Sequence, residues 1–194
     1  MELQFEEFSK IGRLNKECTI TEKIDGVNGQ ITFDEDGNML VGSRRREIFP
    51  EGTEGKPKGC DQNGLAQWAY KHQALLFDYL GTGRHFGEWA GKGINKRYPR
   101  LTGKQFFLFN TFQWETKDNP IPDNLLCAGL TVVPILAIAP FSTELVDKTM
   151  ADLKNGGSCL SGDNPEGIVI YHHGLSTYMK VTFDFDEGKW SKEK

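Results

Sequence analysis

Apolar and polar positions alternate along several short runs of this chain, and recur at helical spacing along only two. Glu17 to Ile24 (ECTITEKI) alternates β-branched and polar residues and predicts a strand. GQITF predicts a second, and DEDG (Asp34 to Gly37) a hairpin turn into a third, NMLVGS. HFGEWA and KQFFLFNTF read as strands, LTVVPILAIAP as a buried strand region, and EGIVIYHH with STYMKVTF as a final pair joined through Gly174. Leu65, Trp68, Ala69, His72, Leu75, Leu76, Tyr79 and Leu80 fall on one helical face, with Asn63 as N-cap and Gly81 as stop. STELVDKTMADLK predicts a second helix, with Glu144 in its first turn and Asn155-Gly156-Gly157 ending it. Hairpins alternating with two isolated helices predict an α+β domain rather than a doubly wound parallel sheet.

A length of 194 residues fits one domain spanning residues 1–194, large enough for a real core and a concave site. The polar tail DFDEGKWSKEK is too short for another domain. No apolar run is long enough to span a bilayer, and MELQFEEFSK lacks a basic-then-apolar signal layout, so a cytoplasmic location is expected. Cys18, Cys60, Cys127 and Cys159 are scattered, with no Cys-x-x-Cys pair, which argues for reduced thiols and against a zinc site.

Net charge is -4, so the chain is no general polyanion binder. The charge is uneven, however. SRRR (Ser43 to Arg46), Lys56 with Lys58, and GKGINKRYPR (Gly91 to Arg100) are basic, while acids gather at Glu2 to Glu7, Asp34 to Asp36 and Asp184 to Glu187. A basic lane on an acidic protein suits a phosphate-bearing partner, and equally suits solvated loops.

The chemistry concentrates at strand ends. Lys23 and Asp25 follow the first strand, Arg44 closes LVGSR, Glu88 sits in FGEWAG, Phe109 in FFLFNTF, Glu166 heads EGIVI, and Lys180 lies in MKV. Polar groups converging from several strands, often beside glycine, are the usual makings of a binding cleft.

EKIDGVNG resembles motif I, Lys-x-Asp-Gly, of the covalent nucleotidyltransferases, which comprise the ATP-dependent polynucleotide ligases and the capping enzymes. The fuller wording Glu-Lys-Ile-x-Gly-x-Asn is similar to RNA ligases of the double-strand-joining type, which include phage enzymes and RNA-editing ligases. SRR, FGEWAG, FFLFNTF, EGIVI and MKV follow in the order of the family's motifs Ia, III, IIIa, IV and V. A lone Lys-x-Asp-Gly is weak, whereas six motifs in order from Glu22 to Val181 are specific.

The resemblance implies an adenylation domain, with antiparallel sheets flanked by helices around an ATP cleft. It implies that Lys23 attacks the α-phosphorus of ATP and forms lysyl-AMP. A free lysine titrates at roughly 10.4, so such an amine must first be made neutral. Glu166 becomes the metal-facing carboxylate for Mg2+ or Mn2+, and Arg44 and Lys180 the phosphate cations. Glu88 is expected at the ribose, and Phe109, with Phe107 as its alternative, stacked on adenine. Glu22, Ile24 and Asn28 complete the nucleotide set, with Asp25 in the catalytic motif. The partner implied is RNA, with DNA as the alternative, carrying 5′-phosphate and 3′-hydroxyl ends, and the protein acting as a monomer.

Three departures from the pattern stand out. Asp25 stands where editing-type RNA ligases often have histidine. Motif V reads Lys180-Val181-Thr182 rather than Lys-x-Lys, leaving Lys92 or Lys189 to compensate, and Asn110 replaces the usual aspartate after the stacking aromatic. The chain also ends just after motif V, so no C-terminal nucleic-acid-binding domain is expected, and RRREIFPEGTEGKPKG and GKGINKRYPR would have to grip the polynucleotide. His72 reads as a core residue and His172-His173 as a turn feature. The rival readings are a minimal DNA ligase and a nucleotide-binding module without sealing activity.

Overall fold

The computed structural model describes residues 11–61, 63–94, 98, 101–114, 116, 118–160 and 164–183. Two sheets form the frame. The first joins β7 (Ile135–Pro140), β1 (Glu17–Glu22), β8 (Gly167–His172) and β9 (Thr177–Thr182), in that order and antiparallel throughout. The second orders β3 (Met39–Ser43), β2 (Val27–Phe33), β4 (Gly83–Gly91), β5 (Lys104–Leu108) and β6 (Leu130–Val132). Its pairs are antiparallel except β5 with β6, which is parallel. The α+β class expected from the alternating runs is the fold observed.

Helices cover the outer faces. Along β1, Cys18 and Ile20 are fully buried among Leu145, Val146, Met150 and Leu153 of α4 (Thr143–Gly156), while Thr19 and Thr21 take the opposite face. Ser142 caps α4 by accepting the Leu145 N–H at 3.1 Å. On the second sheet, Phe33, Val41, Trp89, Phe106 and Leu130 pack beneath α1 (Leu65–Lys71), α2 (Gln73–Leu80) and α3 (Asp123–Ala128). A third cluster, Ile24, Ala90, Tyr98, Phe107 and Val133, fills the space where the sheets approach each other.

The segment at Asp25-Gly26 carries the chain from β1 in one sheet to β2 in the other. Alternation identifies each strand but says nothing of its partner. Other sequence expectations need correction. The predicted helix after Asn63 is two helices meeting at His72, whose φ of -111° and ψ of 17° break the spiral, and His72 is half-buried there rather than core. Gly64, with φ of 74°, takes the N-cap place assigned to Asn63, and the Asp61 carboxylate accepts the Gln67 N–H at 2.8 Å instead.

LTVVPILAIAP divides at Val133-Pro134 into β6 and β7, which enter different sheets. Proline cannot donate to a ladder, and here its carbonyl accepts the Glu22 N–H at 2.9 Å. β7 is an edge strand rather than a buried one, with Ile135 and Ile138 exposed. Helix α3 is too short, at six residues, to show an apolar periodicity in the sequence. Of the two histidines read as a turn feature only His173 lies in the β8–β9 turn, whereas His172 is the last residue of β8 and fully buried. The Leu175 N–H donates to His172 Nδ1 at 3.2 Å, so His172 Nε2 carries the proton donated to the Leu14 carbonyl.

Candidate active site

A cleft of about 870 Å³ opens between the two sheets. Its floor and walls include Glu22, Lys23, Ile24, Asn28, Arg44, Glu88 and Phe109, so seven of the sequence-predicted site residues share one cavity. Lys23 arrives there because its N–H continues the β1–β8 ladder, donating to the Gly167 carbonyl at 2.9 Å. That bond sets the side chain beside Glu166, with Nζ 2.7 Å from Oε1 and both side chains about four-fifths buried at 23% and 19% exposure.

Gly26, the glycine of EKIDG, permits the crossing to β2. A Cβ there would lie 2.5 Å from the Trp89 carbonyl oxygen, so no larger residue fits without moving β4. Asp25 flanks the cleft rather than lining it, and its N–H donates to the buried Tyr98 hydroxyl at 2.8 Å. Desolvation pushes the Tyr98 phenol well above its ordinary pKa.

Glu88 is 7% exposed and accepts a hydrogen bond from Asn28 Nδ2 at 2.7 Å across the β2–β4 ladder. Burial pushes its pKa up to about 7, against the lowering influence of Lys23 and of the Asn28 bond. Asn28 is therefore first of all the partner of Glu88.

Glu22 is 1% exposed. By the period-two rule it shares a face with Cys18 and Ile20, which brings it under the loop after α4. There Oε1 accepts from the Ser158 hydroxyl and Oε2 from the Cys159 N–H at 2.8 Å. Ser158 and Cys159, which hold Glu22, and Tyr98, which holds the Asp25 N–H, are supports that sequence reasoning missed; the glycine-bounded end of α4 was the one signal pointing at the first two.

Burial separates the two phenylalanines. Phe107 is 1% exposed in the cluster beneath the cleft, whereas Phe109 lies just past the end of β5, half-buried, and lines the cavity. Arg44 is exposed at the rim after β3. Lys180 pairs with Val169, a lining residue, so it shares that face of the sheet, but it is exposed and outside the lining set. Lys92 is exposed, and Lys56 sits over the Phe49 ring at 3.8 Å. Lys96, Arg97, Arg100 and Lys189 lie outside the described residues.

The donor set can be tested against the divalent ion implied by the motifs. Glu166 Oε2 is buried and has no hydrogen-bond partner among the described residues, while Oε1 is held by Lys23. No group of three or more His, Cys, Asp or Glu side chains converges among the described residues. Glu166 is not itself among the residues lining the cleft and meets it through Lys23. Its one unpartnered carboxylate oxygen fits an ion such as magnesium or manganese, which keeps several waters and takes a carboxylate together with substrate phosphates.

The RNA ligase family matches residues 16–192. The chain belongs to the RNA ligase family.

Solved structures agree in fold. Naegleria gruberi RNA ligase, as a mutant bound to AMP and Mn, superposes with a TM-score of 0.61 at 18% identity, covering 87% of this chain and 50% of that one. The same enzyme with pyrophosphate gives 0.60 at 19% identity, again over 87% and 50%. A mutant with ATP and Mn gives 0.60 at 18% identity over the same shares. This RNA ligase family member thus spans about half the length of those structures. No curated protein matches the chain. Among the described residues, no helix is long and apolar enough to cross a membrane.

Proposed function

We propose that this domain is the adenylyltransferase of an ATP-dependent RNA ligase, joining 5′-phosphate and 3′-hydroxyl ends through a lysyl-AMP intermediate. The observation that carries the reading is the Lys23–Glu166 pair at 2.7 Å, whose lysine lines a cleft of nucleotide size. The Naegleria gruberi structures with ATP and Mn and with AMP and Mn support ATP and a divalent metal as what the cleft takes.

Lys23 Nζ would form a bond to the α-phosphorus as the bond to the pyrophosphate oxygen breaks. Its proton leaves first, and Glu166 Oε1 is the carboxylate oxygen in hydrogen-bond contact with it. Glu166 Oε2, buried and unpartnered, would hold the divalent ion, which when bound neutralises charge on the phosphates. Glu88, hydrogen-bonded to Asn28, would face the ribose, and Phe109, which lines the cavity with Ile24 and Val169, would stack on the base. Arg44 and Lys180 meet the outer phosphates. In the second half of the cycle AMP passes to an RNA 5′-phosphate, and the 3′-hydroxyl then displaces it.

The test is incubation with labelled ATP or, separately, GTP, denaturing electrophoresis, and a chase with nicked RNA and nicked DNA. ATP-specific labelling discharged by RNA supports the reading. Discharge by DNA alone favours a DNA ligase, and labelling that no polynucleotide discharges favours a module without sealing activity.

A further inference from the structure

Beyond the residues that the nucleotide needs, the cleft continues outward between two aromatic walls. On β4 the positions facing the cleft are Glu88, Phe86 and Arg84, so the wall runs outward roughly 13 Å from Glu88 to Arg84. Phe86 is 46% exposed, with the Arg84 guanidinium over its ring at 5.1 Å, and Arg84 Nη2 donates to Gln30 Oε1 at 3.0 Å. On the first sheet, Tyr171 and Tyr178 stand opposite each other one step out from the Val169–Lys180 pair, their rings 4.7 Å apart. Phe112, from the loop after Phe109, meets Tyr171 at 5.9 Å and the His173 edge at 4.7 Å.

Such a patch is not core. Tyr178 is 62% and Phe112 47% exposed, yet both are held in place, and His173 itself is fixed by a 3.1 Å hydrogen bond with Thr19. Exposed rings kept in fixed orientations beside an exposed arginine form a platform for planar, phosphate-bearing groups, because every base has a π-face and base–aromatic stacking tolerates sequence. The platform is continuous with the cavity containing Lys23. A fully paired end keeps its bases stacked on neighbours, so only an unpaired nucleotide can use these faces.

We infer that the aromatic mouth formed by Phe86, Phe112 and Tyr178 receives an unpaired terminal nucleotide of the RNA substrate. This family member would then favour single-stranded or frayed ends over a fully paired nick. The inference rests on the ligase reading above and names the substrate class of the same site.

The experiment uses an RNA oligonucleotide with 2-aminopurine as its terminal nucleotide, either unpaired or within a nicked duplex, titrated with the protein without ATP and in saturating ATP. Stacking should quench the unpaired probe and leave the nicked one nearly unaffected. Tyr178→Ala or Phe112→Ala should weaken binding of the unpaired probe on the order of tenfold per ring, while Tyr178→Phe keeps it. Thermal melting of each variant verifies the fold. Equal quenching of both probes, or Tyr178→Ala and Phe112→Ala binding like the parent protein, overturns the inference. Quenching that ATP abolishes also overturns it, because the mouth would then be the adenine site. The readout needs no catalysis, so a failure of lysyl-AMP formation is seen separately, by nucleotide labelling.

Discussion

Lys23 Nζ and Glu166 Oε1 stand 2.7 Å apart because Lys23 donates its backbone N–H to the Gly167 carbonyl, extending the β1–β8 ladder by one residue. The lysine and the carboxylate beside it are thus placed by the backbone rather than by a flexible loop. Gly167 makes this possible. Its φ is 148°, and a Cβ would lie 2.1 Å from the Val181 carbonyl oxygen.

Gly167→Ala is therefore expected to push β9 away and disturb the pair. Stability should fall by at least about 1–3 kcal/mol, the cost of a residue forced into a disfavoured backbone region. Nucleotide labelling should fall further than the melting temperature alone accounts for. Thermal melting together with ATP labelling at a temperature where the variant is folded checks this, and parent-like values in both would remove Gly167 from the argument.

Glu88 gives a pH dependence with a definite sign. Its pKa is raised from 4.5 to about 7 in the folded chain, so the folded state binds this proton more tightly. The stabilisation is complete below pH 4.5 and is lost as the pH climbs through about 7, by about 3 kcal/mol in all. Glu88→Gln, which can still accept from Asn28, should flatten that part of the stability curve. The comparison is urea unfolding of both proteins from pH 4.5 to 8; parallel curves would mean that Glu88 is ionised throughout.

Phe107 and Phe109 are two residues apart and should fail differently. Phe107→Ala opens a cavity in the cluster between the sheets and is expected to lose about 3–5 kcal/mol of stability. Phe109→Ala should change stability less and weaken nucleotide binding by about 1–3 kcal/mol, the worth of a stacked base. Calorimetric titration with ATP, alongside urea unfolding, separates them. A Phe109→Ala variant that binds ATP like the parent would move adenine elsewhere in the cleft.

Much of this site was legible in the chain because its chemistry is local. Lys23, Ile24 and Asn28 lie on one short stretch from the end of β1 into β2, Glu88 lies within β4, and Phe109 and Glu166 flank strand ends, so spacing alone brings their identities into view. The β2–β3 and β8–β9 hairpins were readable for the same reason. What spacing does not carry is long-range pairing. That β1 and β2 enter different sheets, that Pro134 sends β6 and β7 apart, and that Ser158 and Cys159 clamp Glu22 all depend on contacts more than a hundred residues apart or on which face a helix covers. The break at His72 is similar: the apolar periodicity runs straight through it, and only the backbone angles reveal the two helices.

The central claim is that Lys23 is the nucleophile, and mass mapping of the covalent nucleotide tests it most directly. The protein is incubated with ATP and a divalent metal, denatured, digested and sequenced by mass spectrometry, with Lys23→Ala in parallel. A single AMP on the peptide containing EKIDG, absent from Lys23→Ala, is the predicted result. AMP on another residue, or equal labelling of Lys23→Ala, would contradict it.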